Sequence, residues 1–127
     1  MLDTIEALLK VAGWRVYRSG SVPNKPTYPY LLLYSLQPVL VRSLARTEGA
    51  RRFRFGVTLV DLGGKHLDDD ADQIEAILEG SRVLHPLSRI EMDARHPATR
   101  DAELTEDGQE PHTLPIHFTV TVPKEPA

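Results

Sequence analysis

The sequence predicts an α+β domain: an antiparallel or mixed β-sheet with two helices packed on one face. Three observations lead there. Residues 3–12 and 69–79 repeat apolar side chains at helical spacing. Residues 51–61 and 114–122 alternate with the period of two that a half-buried strand requires. The resulting order of helix, strands, helix, strands lays helices against a sheet within one domain spanning 1–127.

The first helix is read over residues 3–12, where Ile5, Leu8, Leu9 and Ala12 form one stripe. Asp3 is the expected N-cap, with Glu6 at capping-box distance, and Gly13 closes the far end. Trp14 and Val16 then alternate with Arg15 and Tyr17, a short strand. A turn-rich segment follows, carrying Pro23, Pro26 and Pro29. Proline fixes φ and biases its predecessor toward extended geometry, so residues 24–29 are expected to be stiff and extended.

Residues 30–36 form an unbroken apolar-aromatic run, expected as a strand covered by the core on one face and by a neighbour on the other. Residues 37–50 read as a long connection, with Val39, Leu40 and Val41 a candidate strand end. In the strand 51–61, Phe53, Phe55, Val57 and Leu59 share one face and Arg52, Arg54, Gly56, Thr58 and Val60 the other. Gly63 and Gly64 end it. The second helix, 69–79, carries Leu67, Ala71, Ile74, Ile77 and Leu78 on its apolar side. Asp70 with Gln73 has capping-box spacing, the acidic first turn suits the positive helix end, and Gly80 is the stop. Residues 87–94 read as a strand with Leu87, Arg89, Glu91 and Asp93 opposite Ser88, Ile90 and Met92. Residues 96–110 are polar and read as a loop or hairpin tip. In 114–122, Leu114, Ile116, Phe118, Val120 and Val122 face inward, with His117, Thr119 and Thr121 outward. Residues 123–127 are a short tail.

Composition narrows the function classes. Apolar content of 41% and charged content of 26% are those of an ordinary globular chain. A net charge of −3 argues against whole-protein attraction to nucleic acid or anionic membrane. The absence of cysteine removes disulfides, thiolate catalysis and thiolate zinc sites. The first residues lack the basic stretch and apolar core of a signal peptide, and no apolar run approaches the roughly 20 residues of a membrane span. Use in a cytoplasm, with no membrane partner, is the expectation.

Candidate chemistry is sparse. Asp68, Asp69, Asp70 and Asp72 lack the alternating ligands, turn glycine and closing Glu of a calcium loop, so helix capping explains them. His66, His85, His96, His112 and His117 are scattered without ligand spacing. Ser35, Ser43 and Ser88 sit in no nucleophile elbow. Gly63, Gly64 and Lys65 lack the remainder of a phosphate loop and read as a strand-to-helix turn. No catalytic, metal or cofactor residues are assigned. The arginines form the one concentrated feature: Arg42, Arg46, Arg51, Arg52 and Arg54 lie close together, interrupted by one acid, Glu48. A solvated sheet face, salt bridges to a neighbouring subunit and contact with passing DNA phosphates are the readings open to them.

Four segments, in order, resemble the tail terminator (tail completion) proteins of bacteriophages. They are the N-terminal helix leading into WRVY (14–17), the proline-bearing VPNKPTYPYLLLY (22–34), the strand FRFGVTLV (53–60) with the helix after it, and the closing PIHFTVTV (115–122). Residues 39–50 and 96–110 show no match. The resemblance implies a cofactor-free structural virion protein with helices against an antiparallel sheet, assembled as a ring typically of six subunits. That ring would cap the head-proximal end of the tail tube, stop its polymerisation and offer a joining surface to the head-tail connector or neck protein. DNA would pass through its lumen. Assembly would take place in the host cytoplasm. Another neck component, a connector or stopper, is the nearest alternative, and a small ligand-binding or enzymatic α+β domain a more distant one.

Interface candidates follow from exposure. Asn24, Lys25, Thr27, Tyr28 and Tyr30, together with the loop 96–110, are expected at axial contacts, where Tyr28 and Tyr30 would be aromatic anchors. Arg42, Arg46, Arg51, Arg52 and Arg54 are expected to pair laterally with Asp68, Asp69, Asp70 and Asp72 of the next subunit.

Overall fold

Two thirteen-residue strands paired antiparallel along their whole length make the spine of the sheet. They are β3 (Ala50–Leu62) and β6 (Pro111–Pro123), seen in a computed structural model that describes residues 1–36, 50–79, 81, 89–100 and 110–123. The remaining elements are α1 (Leu2–Val11), β1 (Val16–Arg18), β2 (Tyr30–Ser35), α2 (Leu67–Glu79), β4 (Arg89–Met92) and β5 (Thr99–Arg100). The strand order is β1-β2-β3-β6-β4, with β5 also on β6; β1 runs parallel to β2 and every other pair is antiparallel. This is the α+β fold with a mixed sheet that the sequence predicts.

Period-two alternation places the core on one face. Leu31 pairs with Leu59 and Leu59 with Leu114; Leu33 pairs with Val57 and Val57 with Ile116; Phe55 pairs with Phe118 and Ile90 with Val120. All are buried, and they form a single cluster with Ile5 and Leu9 of α1 and Leu67, Ala71, Ile74 and Leu78 of α2. Both helices therefore cover the same face, each fully buried Leu, Ile or Phe contributing about 1.5–3 kcal/mol of transfer free energy.

The end of α1 is fixed by hydrogen bonds. Gly13 adopts φ +99, its N–H donates to the carbonyl of Lys10, and the N–H of Trp14 donates to the carbonyl of Leu9. These are the two bonds of a Schellman motif, and the left-handed residue it requires explains the glycine. The other end corrects an expectation. Met1 is the N-cap, with no side-chain cap, and Asp3 lies inside the first turn. Asp3 and Glu6 instead accept from the guanidinium of Arg18 on β1, the Glu6 bond measuring 3.0 Å, tying the helix to the sheet edge.

α2 begins at Leu67, two residues before the predicted start, so Asp68, Asp69 and Asp70 occupy its first turn and Asp70 is not a cap. Leu67 sets that start because it is buried in the core. Gly80, the predicted stop, and the candidate strand end 39–41 lie outside the described residues, as do residues 87 and 88 of the fourth predicted strand. The polar segment 96–110 is not wholly loop: Thr99 and Arg100 form β5 against Thr113 and His112, with Thr99 and Thr113 hydroxyls 3.0 Å apart. Residues 101–109 lie outside the described residues.

Candidate functional site: the open sheet face

The strand residues between the core positions project from the face opposite α1 and α2, which carries no helix among the described residues. Register orders them into rows across the sheet. Tyr30, Val60, Thr113 and Thr99 form one row; Tyr17, Leu32, Thr58 and Pro115 the next; then Tyr34, Gly56 and His117. Arg54, Thr119 and Glu91 follow, and Arg52, Thr121 and Arg89 form the last. The face thus grades from aromatic and apolar at one end to charged at the other.

At the aromatic end, Tyr17 and Tyr30 meet edge to face with centroids 5.3 Å apart, and Tyr28 lies 5.5 Å from Tyr30. Such ring pairs contribute about 0.5–1.5 kcal/mol beyond area burial. Tyr28 and Tyr30, expected as exposed anchors, are half-buried against each other. Asn24, Lys25 and Thr27 are exposed on the proline-bearing loop, and the Thr27 carbonyl accepts from Arg15 at 3.3 Å. Val60, on this face and outside the core cluster, is nonetheless buried. The outer side of β2 (Tyr30, Leu32, Tyr34) is half-buried rather than sealed.

In the middle, a polar network spans three strands. The Tyr34 hydroxyl lies 2.9 Å from Thr58 Oγ1 and 3.4 Å from His117 Nε2. His96 packs on His117 with ring centroids 4.9 Å apart. Burial, then the neighbouring His96 and the Arg54 cation, push the His117 imidazole below its ordinary value, with Asp93 opposing. Tyr34 occupies the space above Gly56, where a Cβ would fall 2.5 Å from Tyr34 Cζ.

The charged end divides the predicted interface residues. Arg54 donates to Asp93 at 2.7 Å within the chain. Arg52 is exposed and has no ion-pair partner among the described residues. Arg42 and Arg46 lie outside the described residues, as does the Arg51 side chain. On the opposite side of the domain, Asp68 and Asp69 are exposed in the first turn of α2. Asp70 is half-buried, and burial with the charges of Asp61 and Asp69 raises its carboxyl above the ordinary range, against a lowering by His66. Asp72 accepts from Arg95, which also donates to Glu75 at 2.8 Å. The side-chain bonds to Glu75 and Asp72 hold the Arg95 guanidinium still more basic than usual. Arg52 and Arg54 thus lie on the opposite face of the subunit from the aspartates expected to pair with them in the next, and Arg54 and Asp72 already have partners within the chain.

Among the described residues no group of three or more His, Cys, Asp or Glu is placed to hold a metal ion. Sequence reasoning did not single out Tyr34 with Gly56, His96 with His117, or the contacts of Arg95. A glycine inside an otherwise β-rich strand was the available signal for the first; the other two join residues from distant segments and leave no local pattern.

No family model matches the chain, and no curated protein matches it. Solved structures do match; one, whose name states no activity, is 16% identical over 98% of this chain and 99% of its own, with a TM-score of 0.49.

Proposed function

We propose that this chain is a structural virion subunit that closes, typically as six copies, into a ring capping the head-proximal end of a phage tail tube. The ring ends tube polymerisation and presents a different face to the head-tail connector or neck protein. Tube subunits add through heterologous contacts that do not close along the axis, so growth stops when a ring lacks the next complementary face. Such a subunit works through surfaces and requires no cofactor.

The observation that carries this reading is the open sheet face, graded from a tyrosine cluster to Arg52, which has no ion-pair partner among the described residues, along a two-strand spine paired over its whole length. The four segments that carry the resemblance to tail terminators supply α1 with β1, the proline loop with β2, β3 with α2, and β6. Lateral closure would set exposed Arg52 of one subunit against exposed Asp68 and Asp69 of the next. These groups sit on opposite faces of one subunit, as a head-to-tail contact needs.

Native mass and negative-stain imaging, alone and with tail tubes, test the proposal. A hexamer-sized ring seated at one tube end is expected; a monomer that ignores tubes overturns it. A ring that seats on the connector and not on tubes would favour the alternative neck component. Arg52→Glu is the clean lateral variant, because Arg54 has a partner within the chain. It should lower the oligomer mass while leaving the circular dichroism unchanged; an unaltered mass discards the lateral pairing.

A further inference from the structure

A cleft of about 810 Å³ opens where the C-terminal end of α1 meets β1, on the opposite edge of the sheet from β4. Trp14, Tyr17 and Pro29 provide its apolar lining, and Lys10 and Arg15 its charge. No carboxylate is among the described lining residues. Val11, between the lining residues Lys10 and Ala12, is 87% exposed, the one exposed large apolar side chain among the described residues.

The electrostatics of the cleft come from side chains rather than from the helix end. The Schellman bonds already satisfy the Leu9 and Lys10 carbonyls, so the terminus offers those acceptors no longer. Lys10 shares Glu6 at 3.4 Å, an exposed pair worth little. Arg15 donates to the neutral Thr27 carbonyl, which leaves its positive charge uncompensated among the described residues. In a chain of net charge −3 this is a local cationic, apolar-floored site.

We propose that this cleft docks an extended acidic segment of a partner protein, one apolar side chain resting on Trp14 and Pro29 beside Val11 and flanking carboxylates reaching Lys10 and Arg15. The volume suits a few side chains, within the roughly 300–1,000 Å³ of small-ligand sites. Charge complementarity selects the acidic partner, and the apolar lining selects a segment with a hydrophobic residue between its acids. This goes beyond the ring reading and does not depend on it.

Trp14 is the single tryptophan of the chain and so reports directly on the cleft. The probes are an N-acetylated hexapeptide alternating aspartate and leucine, and a matched peptide alternating lysine and leucine. The acidic peptide should shift Trp14 emission saturably, and the lysine peptide should bind at least about tenfold more weakly. The double variant Lys10→Glu, Arg15→Glu should invert that order, and Val11→Asp should weaken the acidic peptide. All of these side chains are exposed, and circular dichroism verifies that each variant folds. Equal responses to both peptides, the same preference after charge reversal, or no saturable response would each overturn the proposal. Because the assay reads a free subunit, its failure leaves the ring test standing, and a failed ring leaves this result standing.

Discussion

The Tyr34 side chain fills the space that any Cβ on Gly56, its cross-strand partner, would require: such an atom would lie 2.5 Å from Cζ and 2.7 Å from the hydroxyl oxygen. Glycine in the middle of β3 is therefore a packing requirement, not a weak spot, and the ring that crosses it holds the hydrogen bonds to Thr58 and His117.

Gly56→Ala should cost about 1–3 kcal/mol, the usual range for overpacking, because Tyr34 must leave and abandon its hydroxyl partners. Urea unfolding should show a lower midpoint at an unchanged slope. Adding Tyr34→Ala to Gly56→Ala should cost less than the sum of the single changes, since the clash is then gone. Strict additivity would show that the two residues do not oppose each other.

Arg95 joins α2 to the segment after β4 through Asp72 and Glu75. Arg95→Ala should cost about 1 kcal/mol at low ionic strength and less in high salt, because the carboxylates it serves are partly solvated. Lysine should recover only part of that loss, having no planar fork to reach both acids. Thermal unfolding of the three proteins at two salt concentrations reads both effects.

His117 sets a pH dependence whose sign follows from its lowered value. The unfolded imidazole titrates near 6.5, the folded one lower, so the unfolded state takes up protons first as pH falls. Stability should be level with respect to this group above that value, decline as pH drops below it, and level again under the folded value. His117→Gln should flatten this part of the profile. Removing the neighbouring charge with His96→Gln should shrink the decline, because that ring contributes to the lowering. A profile of denaturation midpoints against pH, with the variants superimposable on the parent, would contradict the assignment.

The core is legible in the sequence because strand alternation is a local property. Phe55, Val57 and Leu59 on β3, and Leu114, Ile116, Phe118 and Val120 on β6, are where period two puts them. The apolar stripes of both helices are legible for the same reason, and so is Gly13. Helix starts are less so: Asp3 and Asp70 carry the chemistry of caps, but burial of Leu67 and the pull of Arg18 place them inside first turns. The chemistry of the open face is read only in part. Arg52 and Arg54 share a face as their spacing requires, yet the partner of Arg54 comes from Asp93, 39 residues on. Periodicity says which side a residue faces and cannot say which distant residue meets it.

The few residues from Asp93 to His96 grip both sides of the sheet at once. Asp93 and His96 hold Arg54 and His117 on the bare side, while Arg95 reaches around the rim to α2. Anything that seats on the sheet side and displaces His96 therefore acts one residue away from the ion pairs that Arg95 makes with α2, so this corner is where the two surfaces of the subunit come nearest to sharing a support.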